Sequence, residues 1–202
     1  DEFKKKFPPY SIALDGFVDA APIGEEQGPY ANFDHHTGCD RTATRSTSEQ
    51  VHMEINLGLF NTFRKEGIPH ANLYINDPDE DTCLATWLLM NNEQVRNHAQ
   101  PQINRLVYCE DHLDCTAGAY PFGDTSFRRQ MAWIFEPYND ARFSGKLAQM
   151  DAPEMRNIIE AVHGRVTKHV YGKGEEIALE GRYKKIGGGD GWMMTQETGP
   201  AS

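Results

Sequence analysis

Residues 31–36 have the sequence Ala31-Asn32-Phe33-Asp34-His35-His36, in which a short β-type run ends in an acid and two imidazoles. A second such run at 72–75 is followed by the acidic segment Asn76-Asp77-Pro78-Asp79-Glu80-Asp81. Two strand ends that each finish in metal-binding side chains indicate one site at the edge of a sheet. Imidazole nitrogen and carboxylate oxygen together suit Mn, Fe or Zn better than Ca²⁺, which prefers oxygen ligands alone.

Alternating strands and helices are predicted on both sides of this stretch. Ser46 and Glu49 form a capping-box pattern, and the apolar residues that follow every four positions predict a helix that Gly67 ends. Asp81 or Thr82 is expected to cap a further helix. Strands are predicted at 10–15, 31–33, 72–76 and 105–109, with a loop at 16–30. This alternation predicts an α/β fold in which a parallel sheet is flanked by helices.

Each predicted strand is followed by an acid, and ligands of open parallel sheets bind outside the carboxyl ends of the strands. The acids are Asp15, Asp34, Asp79 and Asp111. A site formed by His35, Asp79, Asp81 and neighbouring acids has enough ligands for two divalent ions. Such a pair, about 4 Å apart, can lower the pKa of a shared water and clamp a phosphoryl group. Arg41 and Arg45 could hold phosphate oxygens through their guanidinium groups.

The last third of the chain differs in character. Residues 126–170 are predicted to be mostly helical, and Ala152-Pro153 resembles a helix start that Asp151 caps. Residues 183–192 are rich in glycine and predict a hairpin. We therefore divide the chain into an α/β metal-binding core at 1–125 and a helical and hairpin extension at 126–202 that packs on the core.

The composition limits the classes of function. The 202 residues are 39% hydrophobic and 25% charged, which is typical of a globular protein. The net charge of −10 argues against binding of long duplex nucleic acid, whereas a small phosphorylated substrate fits because a bound metal inverts the local field. No apolar run reaches the length of a membrane span and the first residues do not predict a signal peptide, so no membrane partner is expected. The four cysteines favour a reducing compartment, the cytoplasm. The start without Met leaves open a processed chain or a piece of a longer protein.

Phe33-Asp34-His35-His36 resembles the signature motif of the DHH phosphoesterases, which include family II inorganic pyrophosphatases, exopolyphosphatases and small-nucleotide phosphodiesterases. Asp15 is similar to the metal-bridging aspartate that precedes the motif in that family. Residues 45–51 resemble the Ser/Thr-rich helix start that follows the motif, and Pro78-Asp79-Glu80-Asp81 resembles the Pro-Asp-x-Asp motif. The resemblance covers roughly residues 10–115 and implies a Rossmann-like DHH domain.

The resemblance implies a metal-dependent hydrolase of phosphoester or phosphoanhydride bonds. The substrate would be a short oligonucleotide, a dinucleotide or pyrophosphate. Two divalent ions are implied, usually Mn²⁺, with Mg²⁺ or Co²⁺ also open. The implied metal ligands are Asp15, His35, Asp79, Asp81 and Asp111; the implied catalytic residues are His36 and Arg45, which bind substrate together with Arg41.

The order of the motifs departs from the family. The Pro-Asp-x-Asp motif precedes the DHH triplet in the family and follows it here. Three explanations stay open: a circular permutation, a match of Asp79 and Asp81 to the family's later aspartate motif, or a partly accidental resemblance. Ile75 stands where the first motif would carry a metal-binding histidine, so one ion could instead be held by His112 or Asp114.

Two other hypotheses follow from the sequence. The first is a degenerate DHH-like module that binds a nucleotide or a metal without turnover, which the displaced motif favours. The second is an interaction domain with structural Zn²⁺ held by Cys109, His112 and Cys115, with Cys39 as a candidate fourth ligand. A homo-oligomer is open under every hypothesis.

Overall fold

The chain folds into an α/β structure in which a parallel sheet packs against helices, as predicted. The computed structural model describes residues 2–23, 29–97, 100–179 and 183–197. The strands are β1 (Ser11–Leu14), β2 (Tyr30–Phe33), β3 (Arg64–Lys65), β4 (Ile68–Pro69), β5 (Asn72–Tyr74), β6 (Tyr183–Gly189) and β7 (Trp192–Glu197). The helices are α1 (Glu2–Lys6), α2 (Arg41–Thr44), α3 (Thr47–Leu57), α4 (Leu59–Thr62), α5 (Glu80–Met90), α6 (Asn92–Asn97), α7 (Pro101–Cys115), α8 (Thr125–Phe143) and α9 (Ala152–Val170), with a 3-10 turn at Leu147–Gln149.

The sheet has β1 at its centre, with β2 on one side and β5 on the other. Both pairings are parallel, so the carboxyl ends of the three strands lie at one edge of the sheet. The apolar side chains of β1 are fully buried, which is typical of a parallel strand covered on both faces. The predicted strands at 10–15, 31–33 and 72–76 are thus confirmed as β1, β2 and β5. Residues 24–28 of the predicted loop lie outside the described part of the chain.

Helix α3 starts as predicted but ends earlier. Ser46 Oγ accepts a hydrogen bond from the Glu49 N–H, which caps the helix. The prediction that the helix continues to Gly67 is wrong. Gly58 takes a φ of 105° and closes α3 with hydrogen bonds from its N–H to carbonyls of the last turn, a conformation that glycine adopts easily. The chain then forms the short α4 and a small β3–β4 hairpin.

The predicted strand at 105–109 is wrong, because these residues belong to α7. Pro101 stands in the first turn of that helix, where its missing N–H costs nothing. The buried positions of α7 include 103, 106, 107, 110 and 111, and this spacing of three and four is that of a helix face. Asp111 therefore lies on a helix and not at the end of a strand.

Helix α5 is capped by Asp79, whereas the sequence predicted Asp81 or Thr82. The Asp79 side chain accepts from the Thr82 N–H at 2.7 Å, so Asp81 falls in the first turn of the helix. The helix packs against α9, where Trp87 Nε1 donates to Thr167 Oγ1 at 3.0 Å.

The C-terminal part contains the predicted helices and hairpin. The predicted boundary after residue 125 falls at the first residues of α8, and buried apolar residues of α8 and α9 share one core with those of β1 and α5. Strands β6 and β7 form an antiparallel hairpin. Within the described ranges, no helix is both long and apolar enough to span a bilayer.

The amino end of α9 allows a direct test of the fold. Asp151 accepts from the Glu154 N–H and the Glu154 side chain accepts from the Asp151 N–H, which is a complete capping box. We expect Asp151→Ala to lower the free energy of unfolding by about 1 kcal/mol in urea titrations, because one end of the box is lost. Glu160→Ala, at an exposed site of the same helix, is the control and should change it much less. Equal effects of the two substitutions would contradict the assigned cap.

Candidate metal centre

His35 lies at the centre of the site, directly after β2. Its Nε2 atom is 3.5 Å from Asp15 Oδ1 and 3.2 Å from Asp114 Oδ2. The residue is 2% exposed, and neither ring nitrogen forms a hydrogen bond. Burial acts to lower the pKa of His35, but the contact with Asp15 and the charge of Asp114 outweigh it and raise the pKa above its usual value. A buried imidazole with two unbonded nitrogens beside two carboxylates can act as the ligand of a cation.

Asp15 directly follows β1 and contacts both histidines. It has a φ of 48°, a left-handed conformation that is uncommon outside glycine. Its carboxylate accepts from Thr47 Oγ1 at 3.1 Å and lies 3.5 Å from His36 Nδ1. Burial acts to raise the pKa of Asp15, but the contact with His35 and a hydrogen bond with Asp79 lower it overall. Asp15 is thus favoured as an ionised carboxylate, and one of its oxygens contacts the rings of both histidines.

Asp34 positions the two histidines. It is fully buried and its Oδ1 accepts from the N–H groups of His35 and His36 at 2.8 and 3.0 Å. The same oxygen lies 2.8 Å from His36 Nδ1 and accepts a hydrogen bond from the Nδ1–H group. The His36 side chain is 42% exposed, in contrast to buried His35. The triplet therefore contains one orienting acid, one buried imidazole and one accessible imidazole.

Asp79 and Asp81 reach the site from the amino end of α5. Asp81 is 2% exposed and accepts from the N–H groups of Thr47 and Ser48 at 2.6 and 2.8 Å. Burial and the charge of Asp15 raise the pKa of Asp81 to about 6, although the hydrogen bonds from Ser48 act in the opposite direction. Burial, followed by the charge of Asp15, raises the pKa of Asp79 well above its usual range. Asp79 forms a hydrogen bond with Asp15, whereas Asp81 acts on Asp15 through its charge. Both carboxylates also accept from N–H groups at the start of a helix.

Asp111 and Arg45 form an ion pair with each other. Asp111 is fully buried, and its other oxygen accepts from the Ser46 N–H at 2.8 Å. Arg45 has φ 73° and ψ 170°, a conformation otherwise almost confined to glycine, which the surrounding contacts must sustain. The predicted roles of Asp111 as a metal ligand and of Arg45 as a catalytic group stay predictions; both side chains already hold the turn before α3.

The site opens into a cavity of about 430 Å³ that combines acids with two arginines. Arg41 donates to Asp114 Oδ1 at 2.8 Å. The cavity is lined by Arg41, Asp79, Glu80, Asp81, Glu110, Leu113, Asp114, Ala117, Gly118, Tyr138 and Arg142. Burial raises the pKa of Asp114, which the positive charges nearby only partly offset. The sequence had suggested Asp114 as a substitute ligand, and the structure brings it to His35.

Glu110 and Arg142 line this cavity but were not predicted from the sequence. Glu110 is 3% exposed and its Oε2 atom has no hydrogen-bond partner. Burial, followed by the charges of Asp81 and Asp114, raises the pKa of Glu110 well above its usual value. Glu110 and Asp114 are four residues apart and lie on one face of α7. A helix prediction for this segment would therefore have placed Glu110 beside Asp114.

Two overlapping groups of side chains could hold an ion, and both contain His35. One consists of Asp15, His35 and His36; the other consists of His35, Asp114 and Cys115. In each group the donor atoms lie within 4.8 Å of one another. In the part of the chain that the structure describes, the zinc set of Cys109, His112 and Cys115 does not form such a group.

Comparisons of the chain with protein-family models, curated proteins and solved structures find no match. What the site can do therefore follows from its own side chains. Imidazole and carboxylate donors around buried, unbonded atoms fit a divalent transition-metal ion, and the arginines of the cavity fit an anion beside it.

Glu110 provides a test of the charge state of the site. In metal-free protein we expect the stability of the wild type relative to Glu110→Gln to fall as pH rises from about 5 to about 8. The unfolded chain loses the Glu110 proton near pH 4.3, whereas the folded protein retains it to higher pH, so ionisation opposes folding in this window. Urea unfolding in chelator at several pH values measures this difference.

Glu93→Gln, on an exposed residue of α6, is the matched control and should show no such trend. Comparison of the wild type with Glu110→Gln at each pH removes the contribution of the histidines, because both proteins contain them. A difference between wild type and Glu110→Gln that stays constant with pH would contradict the assignment.

Proposed function

We propose that the protein is a DHH-type, metal-dependent hydrolase of phosphoester or phosphoanhydride bonds in a small phosphorylated substrate. The observation that carries the proposal is buried His35, whose unbonded Nε2 lies between the carboxylates of Asp15 and Asp114. An imidazole buried without hydrogen bonds is destabilising, and a cation bound between these groups would remove that cost. The resemblance of residues 33–36 to the DHH motif supports the same chemistry.

The ligands divide between the two groups that share His35. Because one imidazole nitrogen has one lone pair, Nε2 can bind a single ion. Asp15 lies 3.5 Å from His35 Nε2, and by the resemblance it is the ligand that both ions would share. Asp79 and Asp81 are further candidate ligands beside it. Bound divalent ions, Mn²⁺ by the resemblance, would supply Lewis acidity and a water of lowered pKa.

His36 is the candidate for proton transfer. Asp34 accepts from Nδ1, which fixes the ring and leaves Nε2 for the substrate. The side chain is partly exposed, so a phosphate or leaving-group oxygen can reach it. In the protonated imidazole, Nε2–H can donate to that oxygen while the carboxylate of Asp34 stabilises the positive charge.

The arginines supply the complementary charge for an anionic substrate. Arg41 and Arg142 line the cavity together with the acids, so phosphate oxygens and cations can be bound side by side. The cavity of about 430 Å³ is in the size range of small-molecule sites. This supports a short oligonucleotide, a dinucleotide or pyrophosphate as the substrate. Arg45 is a further candidate for contact with the transferred phosphoryl group.

A binding module without turnover is the second candidate function. It is favoured by the ion pairs of Arg41 with Asp114 and of Arg45 with Asp111, which engage both predicted substrate arginines. The displaced Pro-Asp-x-Asp motif points the same way. Such a module would retain the metal and bind a phosphorylated ligand without hydrolysing it.

Hydrolysis assays with variants of two histidines test the proposal. We expect Mn²⁺-dependent hydrolysis of pyrophosphate, of a short oligonucleotide or of a generic phosphodiester, and loss of it in chelator. His35→Ala should reduce kcat/KM by more than the roughly 10–100-fold that loss of an outer-shell partner costs. His52→Ala, on α3 and outside both ligand groups, is the control and should retain activity. Wild type that binds Mn²⁺ but hydrolyses none of these substrates would favour the binding module.

Arg41 gives a separate test of substrate binding. We expect Arg41→Ala to raise KM by about tenfold, the effect of one lost charge-assisted hydrogen bond of about 1.4 kcal/mol. A smaller change in kcat is expected, because Asp114 remains for the metal. Steady-state kinetics with the substrate identified above measures both constants. Arg128→Ala, at an exposed position of α8, should leave both unchanged; an unaltered KM in Arg41→Ala would remove Arg41 from the substrate site.

A further inference from the structure

We propose that Cys115 is a metal ligand and that, with His35 and Asp114, it forms a thiolate-containing position selective for Zn²⁺ or Co²⁺ over Mn²⁺ and Mg²⁺. The inference deepens the proposed function, on which it rests, by naming the class of ion at one position. The zinc hypothesis from the sequence grouped Cys115 with Cys109 and His112, whereas the structure groups it with His35, which follows β2, and with Asp114 of α7.

The geometry of the end of α7 places the thiol beside the other two donors. Cys115 is the last residue of α7 and directly follows Asp114. Its Sγ lies 3.6 Å from Asp111 Oδ1 and 3.6 Å from the Arg41 carbonyl oxygen, which are weak contacts for a thiol. The donor atoms of Cys115, Asp114 and His35 all lie within 4.8 Å of one another. One ion placed among them can therefore contact all three with small side-chain rotations.

Unbonded atoms in the same group indicate a position for a cation. His35 Nε2 and Asp114 Oδ2 are both buried, lie 3.2 Å apart, and have no hydrogen-bond partner. His35 is 2% exposed, so its ring nitrogens have almost no contact with bulk solvent. A nitrogen lone pair and a carboxylate oxygen that face each other repel, unless a proton or a metal ion lies between them. The nearby thiol makes a metal ion the better occupant, because a thiolate can join the coordination.

The donor set defines the class of ion. Three protein ligands of nitrogen, oxygen and sulfur with one open position describe the catalytic type of zinc site. Thiolate is a soft ligand that Zn²⁺ and Co²⁺ accept readily, whereas Mn²⁺ and Mg²⁺ prefer oxygen donors. The group of Asp15, His35 and His36 offers only oxygen and nitrogen donors, so no preference for thiolate-binding ions is expected there. The selectivity of the site is thus predicted to depend on Cys115.

Cobalt substitution of the full chain tests the inference directly. The protein is stripped with chelator, loaded with Co²⁺, and its near-ultraviolet absorption is recorded. We expect a sulfur-to-cobalt charge-transfer band in the wild type, and its loss in Cys115→Ser. Cys39→Ser, which alters a half-buried cysteine outside both ligand groups, should retain the band. Competition with a chromophoric chelator should show Zn²⁺ affinity reduced at least about tenfold in Cys115→Ser, with Mn²⁺ affinity little changed.

The outcomes separate this inference from the proposed function. A wild-type cobalt protein without a charge-transfer band, or an unchanged Zn²⁺ to Mn²⁺ preference in Cys115→Ser, would overturn the role of Cys115. If Cys115→Ser does not fold, the wild-type band and its loss in Asp114→Asn decide the question. A band together with no hydrolysis of any phosphorylated substrate keeps the metal site and rejects the hydrolase. Hydrolysis without the band keeps the hydrolase and rejects the thiolate.

Discussion

The amino end of α3 is held by two buried carboxylates that come from two other helices. Asp81 of α5 accepts from the N–H groups of Thr47 and Ser48, and Asp111 of α7 accepts from the Ser46 N–H. The first N–H groups of a helix lack partners within the helix and carry partial positive charge, so anionic oxygens are well suited to them. These bonds tie three helices together at the edge of the sheet where β1 and β2 end. The positions of Asp15, His35 and Arg45 depend on that junction.

The same junction crowds acids whose charges repel. Burial and neighbouring charges raise the pKa of Asp81, Asp79 and Glu110, which shows that the packed helices force carboxylates into a space that disfavours them. A structural role does not exclude ligation, because each carboxylate has about four lone-pair positions and uses only some of them in these bonds. A divalent cation would relieve the repulsion without breaking the hydrogen bonds to α3. The stability of the junction and the affinity for metal are therefore linked.

The sequence predicted the sheet and several helix ends but not α7. Strands β1 and β2 were recognisable because short apolar runs end directly in acids, and Ser46 was recognisable from its local capping pattern. The strand predicted at 105–109 is wrong because a short apolar run does not distinguish a strand from a buried helical segment. The three- and four-residue spacing of the buried positions from Ile103 to Asp111, together with Pro101 in the first turn, indicates the helix. The end of α3 was misplaced for a similar reason, since Gly58 and Gly67 are equally good stop signals in a sequence.

The parts of the site that the sequence missed are those that depend on packing between helices. Asp15 and His35 follow neighbouring parallel strands, so their proximity follows from the order of the sheet alone. Glu110 reaches the cavity only because α7 packs against α3 and α5, contacts that no local pattern encodes. This also bears on the unusual order of the motifs. The carboxyl ends of β1, β2 and β5 lie at one edge whatever the order in which the chain passes through them. Acids that follow β5 in the sequence can therefore stand beside Asp15 in space, and the displaced Pro-Asp-x-Asp motif is no obstacle to a shared metal centre.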